Sequence, residues 1–119
     1  MSPKPFEVTR AIVQGVQVVA VQGELDLSTA PRVGELLEDA ARDATRPLVV
    51  DLTRCKFVDS TGLAMLLHGA KPAQNGESNA ALVSPGGEVR RLLELTAIDR
   101  TIPVFDTLAA AVEAVLAAG

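Results

Sequence analysis

A chain of 119 residues, 48% apolar and 22% charged, is long enough to form one globular domain around a hydrophobic core. The net charge of −4, scattered Arg46, Arg54 and Lys56 and the lack of Trp or Tyr for base stacking argue against a nucleic-acid binder. With 3% aromatic residues the core must be aliphatic, and a single cysteine, Cys55, leaves neither a disulfide framework nor a zinc knuckle.

The opening Met1-Ser2-Pro3-Lys4-Pro5 is polar, carries no secretory signal pattern, and residues 1–6 are expected to be disordered. No apolar run approaches the ~20 residues of a membrane span, so no direct membrane insertion is expected and the cytosol is the expected location. Val8–Val13 and Val16–Val21 read as two strands joined at Gly15, a short hairpin. Gly23 reads as the end of that pattern, followed by Glu24-Leu25-Asp26-Leu27. Ser28-Thr29-Ala30-Pro31 then reads as a helix start, with a hydroxyl cap and proline in the first turn. Val33, Leu36, Leu37, Ala40 and Ala41 form one apolar stripe.

After Pro47, Leu48–Leu52 reads as a strand, and Phe57-Val58 as a buried strand end that gives way to a helix near Ser60. Leu63, Leu66, Leu67 and Ala70 carry that helix at 3.6-residue spacing. Pro72 and Asn75-Gly76 mark a loop. Ala80–Val83 reads as a further strand, and Ser84-Pro85 as a cap and first-turn proline for a helix bearing Val89, Leu92 and Leu93. Gly86-Gly87 would loosen its first turn. Ile102–Phe105 is a weak edge strand, since Pro103 cannot donate to a ladder. The last helix shows Leu108, Ala111, Val112, Val115 and Leu116 on one face. The order β-β-α-β-α-β-α-β-α implies a single α/β domain, residues 1–119, with a mixed, largely parallel sheet of about five strands and four helices.

The most informative segment is Phe57-Val58-Asp59-Ser60-Thr61-Gly62-Leu63, which places two adjacent hydroxyls where a strand becomes a helix. Asp, Ser and Thr are ordinary N-cap residues, so capping accounts for them locally. A hydroxyl at a helix start also lies where backbone N–H groups and the helix dipole favour an anion, which suits a phosphate acceptor. The two readings are compatible. Catalysis has little support. The one histidine, His68, lies eight residues along the same helix from Ser60, roughly 12 Å away at ~1.5 Å rise per residue. There is no phosphate-loop or dinucleotide fingerprint and no metal-ligand spacing, so neither a cofactor nor a metal is expected. Glu35, Glu38 and Asp39 lie off the apolar stripe, as a solvated face would.

The pattern as a whole resembles the STAS domain family, in particular the stand-alone bacterial anti-sigma factor antagonists. Gly23-Glu24-Leu25-Asp26, Val49-Val50-Asp51-Leu52, the segment from Phe57 to Leu63, and Val89–Thr96 with Ile98-Asp99 and Val104-Phe105 carry the resemblance in order, across about residues 8–117. It implies a phosphorylation switch without enzymatic activity of its own. Unphosphorylated, such a protein binds an anti-sigma factor that is itself a serine kinase, and so frees a sigma factor. Phosphorylation by that kinase ends the complex, and a PP2C-type phosphatase resets it.

The resemblance places the acceptor on Thr61, with Ser60 as second choice. Threonine stands there where many antagonists carry serine, and its β-branched χ1 is stiffer. Leu63-Ala64-Met65-Leu66-Leu67 is apolar nearly all round, either because both sides pack or because a patch faces a partner. Asp26, Asp59, Ser60, Gly62 and Ala64 or Met65 are therefore expected to share a docking face with Thr61, with Gly62 letting a partner's backbone come close. A monomer or weak dimer is expected. The alternative is a scaffold subunit of a stress-signalling complex, or an accessory subunit of a lipid or anion transport system.

Overall fold

The computed structural model describes residues 5–43, 45–75 and 79–117; the expected disorder of residues 1–6 thus lies mostly outside the described residues. The hairpin forms where the two apolar runs flanking Gly15 place it. β1 (Glu7–Val13) pairs antiparallel with β2 (Val16–Leu25), and Gln14 and Gly15 turn the chain at φ 52° and 81°. Both turn residues at positive φ match the twist of the flanking strands.

β2 does not stop at Gly23. It runs on to Leu25 and pairs in parallel with β3 (Leu48–Val58), with register shifts after Ala20 and after Gly23. Gly23 sits at φ 98°, so glycine serves here to bend a strand rather than to end it. The shifts also reset the alternation in β3: Leu52, Cys55 and Val58 are buried, with exposed pairs between them. Phe57, expected to be buried, is 48% exposed for this reason.

α1 (Ala30–Ala41) carries Pro31 in its first turn and buries Val33, Gly34, Leu37 and Ala40. Gln17, buried on β2, donates through Nε2 to the Ala40 carbonyl at 2.8 Å and so ties the helix end to the sheet. α2 (Ser60–Asn75) passes through Pro72 instead of ending there. Proline forfeits one helical hydrogen bond, but the buried Ala70 and Ala73 on either side hold the last turn against the core. β4 (Ala80–Val83) falls where the sequence puts it. α3 (Glu88–Leu95) begins later than the Ser84-Pro85 signal suggests, capped at Gly87 with φ 108°. Ser84 is instead buried, and its carbonyl accepts from Arg90 Nη1 at 2.7 Å. A single 3₁₀ turn (Ile98–Arg100), absent from the sequence reading, leads to β5 (Val104–Phe105) and α4 (Leu108–Ala117).

The sheet order is β1-β2-β3-β4-β5, parallel from β2 onward. Val19, Val21, Val50, Leu52 and Leu82 face α1, α2 and α3, whereas Val18, Val49, Ala81 and Val83 face α4. Leu116, expected on the buried face of α4, is 43% exposed. The architecture is a single α/β domain with a mixed five-stranded sheet and four α-helices among the described residues. No described helix is long and apolar enough to cross a membrane.

Leu66 on α2 has no solvent exposure and fills the space between that helix and the sheet. Leu66→Ala is expected to lower unfolding free energy by about 2–5 kcal/mol through lost burial and the cavity left behind, measured as a fall in urea midpoint at constant m.

Candidate functional site

Asp59 follows the last residue of β3 and caps α2. Its Oδ1 accepts the Gly62 N–H at 2.9 Å and its carbonyl accepts the Leu63 N–H at 2.9 Å. A carboxylate in this position satisfies orphan donors and complements the helix dipole. The cap is thus Asp59, and the hydroxyls of Ser60 and Thr61 are left in the first turn. Ser60 is exposed and Thr61 half-buried. No hydrogen bond to either hydroxyl forms among the described residues.

The second carboxylate organises the β2–α1 loop. Asp26 Oδ1 accepts the Ser28 N–H at 2.9 Å, the Ser28 hydroxyl at 2.6 Å and the Thr29 N–H at 3.2 Å. Thr29, expected to cap α1, turns its hydroxyl back to the Glu24 carbonyl at 2.7 Å and receives the Asp26 N–H at 2.9 Å. The Ser28 hydroxyl is the main influence that holds the Asp26 carboxyl below its ordinary 3.8, against an opposing effect of desolvation. Ser28 and Thr29 therefore have engaged hydroxyls, unlike Ser60 and Thr61.

Parallel pairing brings the two carboxylates to one end of the sheet. Leu25 lies opposite Val58 in the register. The Asp59 N–H donates to the Leu25 carbonyl at 3.1 Å, and Asp59 Oδ2 accepts the Leu27 N–H at 3.2 Å. Asp26, Asp59, Ser60 and Thr61 thus gather where β2 and β3 end. Ala64 is exposed one turn further along α2.

Gly62 and Met65 do not share that exposure. Gly62 is buried, and a Cβ there would lie 2.6 Å from the Leu25 carbonyl oxygen and 3.0 Å from Val58 Cγ1. Glycine is needed for α2 to pack on the strand ends, not for a partner's approach. Met65 is half-buried, with Sδ and Cε against Gly34 of α1. The apolar character of α2 is largely packing: Leu63, Met65 and Leu67 all lean on the core.

Sequence reasoning missed Leu27, which is 73% exposed beside both carboxylates, and the exposure of Phe57. The usable signal for Leu27 was Asp26 followed two residues later by Ser28, a pattern for a side chain-closed turn that leaves the intervening residue outside. An open cleft below the loop is lined by Phe6, Gln22, Gly23, Arg54 and Lys56. Arg32 covers the Phe6 ring at 4.9 Å to its centroid. Cys55 is buried in the core, where desolvation pushes its thiol up.

Gly62→Ala is expected to cost about 1–3 kcal/mol, because the facing atom is backbone and cannot swing away; thermal unfolding measures it. Asp26 titrates lower when folded than unfolded, so its contribution is present above the unfolded value and lost as pH falls through the folded one. The stability difference between wild type and Asp26→Asn is expected to shrink as pH is lowered below 3.8, as read from urea midpoints across an acid series.

Comparison with known proteins agrees with this architecture. The family model described as STAS domain matches residues 7–111. The chain is 34% identical over 108 residues to the anti-sigma-F factor antagonist RsfB of Mycobacterium tuberculosis, covering 90% of this chain and 87% of that one. It is 31% identical over 80 residues to the anti-sigma-B factor antagonist of Staphylococcus aureus, covering 67% and 74% respectively. The crystal structure of an anti-sigma factor antagonist from Mycobacterium paratuberculosis superposes with a TM-score of 0.86 at 31% identity, over 96% of this chain and 97% of that one. By family model, sequence and fold alike, the chain belongs to the STAS domain family.

Proposed function

We propose that the protein is an anti-sigma factor antagonist that acts in the cytoplasm and is switched by phosphorylation. In this reading the unphosphorylated protein binds a kinase-type anti-sigma factor through the start of α2 and the Asp26 loop, and so releases a sigma factor. Phosphate on Thr61, with Ser60 as second choice, ends the complex, and a PP2C-type phosphatase restores it. The observation that carries the reading is the pair of unengaged hydroxyls in a helix first turn whose cap is already supplied by Asp59. Either hydroxyl can be modified without removing a cap. The relatives named antagonists support the same reading. Between the two hydroxyls, the Asp-Ser-Thr-Gly motif favours Thr61, while exposure favours Ser60.

A local phosphate suffices as a switch. It adds about −1.5 to −2 charges and three acceptor oxygens, which a helix N-terminus tolerates. A docked partner does not. One carboxylate ~4 Å away at an effective dielectric of ~20 feels a repulsion of about 4 kcal/mol per unit charge pair. A hundredfold loss of affinity requires only about 2.7 kcal/mol.

Incubation with ATP and the kinase-type anti-sigma factors of the same genome, followed by mass spectrometry, is expected to locate phosphate on Thr61. Thr61→Ala should abolish it and Thr61→Glu should weaken binding at least tenfold. Phosphate on Ser60 would move the site and keep the mechanism. A stable complex that acquires phosphate on neither residue would overturn the switch.

A further inference from the structure

Leu27 is the one large apolar side chain in the Asp26 loop, and it is 73% exposed. A lone exposed leucine is ordinary on a protein surface. This one differs in how it is held. Its N–H donates to Asp59 Oδ2, while the other oxygen of that carboxylate caps α2 through the Gly62 N–H. The flanking loop is closed by the Asp26 carboxylate on Ser28 and Thr29 and by the Thr29 hydroxyl on Glu24. The backbone beneath Leu27 is thus fixed before any partner arrives, and little ordering remains to oppose binding. An apolar side chain on a preorganised backbone gives up less of its burial energy to ordering when it enters a partner's pocket.

We infer that Leu27 is a specificity-determining anchor for the anti-sigma factor, with Asp59 as the positioning residue that holds it out. The inference rests on the antagonist reading above and deepens it. The complementary surface is a shallow apolar pocket whose rim is cationic, because Leu27 is flanked by the Asp26 carboxylate on its own loop and the Asp59 carboxylate bonded to its N–H. Asp59 joins the two parts of the site: it caps the helix bearing Ser60 and Thr61 and also sets the height of the leucine beside them. Anti-sigma factors of one cell that differ in this pocket would be discriminated at Leu27.

A double-mutant cycle tests this on the full chain with a kinase-type anti-sigma factor that wild type binds. Leu27→Ala is expected to weaken binding at least tenfold with no change in melting temperature, mostly through faster dissociation. Leu27→Lys should weaken it further, since a cation meets the cationic rim. Asp59→Asn, which keeps a capping oxygen, should weaken binding and accelerate hydrogen exchange at the Leu27 amide. In the Leu27→Ala background the same Asp59→Asn change should cost less than half as much in log affinity. Loss under tenfold for Leu27→Ala overturns the anchor. Equal cost of Asp59→Asn in both backgrounds, or an unchanged Leu27 amide, overturns the positioning role. Absence of any complex with wild type defeats the antagonist reading itself, and the inference falls with it.

Discussion

One carboxylate holds the site together. Asp59 lies at the exit of β3, and its two oxygens reach in different directions, one into the first turn of α2 and one across to the β2–α1 loop. Without its side chain, the two strand-to-helix connections are joined through the backbone at Leu25 and the seat of Gly62 on it. With it, a displacement of either is transmitted to the other through a bond a few ångströms long. A charged acceptor gives each contact more strength than a neutral one would, and the close seat of Gly62 on Leu25 leaves little slack between the segments.

The rest of the fold brings that residue to its place. Parallel pairing of β2 with β3 sets Leu25 beside Val58, so the chain leaves both strands at one level. The two shifts of register lengthen β3 relative to β2 and decide which of its late residues face inward. α1 and α2 then pack side by side on the same face, with Met65 over Gly34 and Leu37 against Gly69. Small residues at those two contacts let the helices approach, and their first turns arrive together at the rim of the sheet.

Much of this was legible in the sequence, and the limits have physical causes. Element order, the hairpin and Ala80–Val83 followed from apolar runs and turn residues, because those signals are local. Gly23 misled because a glycine that bends a strand and one that ends it look alike until the partner strand is known. Phe57 misled for the same reason, since its side was decided by register with β2. Pro72 reads as a helix terminator by propensity, yet burial of Ala70 and Ala73 outweighs the single lost hydrogen bond. The carboxylates were singled out, but their meeting depends on strand pairing thirty-odd residues apart in the chain. Gly62 shows the converse case: the right residue was noticed, and its inward packing explains why glycine stands there.

Running four strands in the same direction aligns their exits along a single rim, and the connections that follow β2, β3 and β4 emerge there in a row. The exposed residues at the tips of those connections, Leu27 and Ser60 among them, lie outside the aliphatic interior. Such a rim works as an interchangeable edge: duplicated copies of the gene can acquire different tips and distinct allegiances while inheriting one unaltered core. A cell that keeps several parallel regulatory circuits apart needs separation of that kind, with little redesign per circuit.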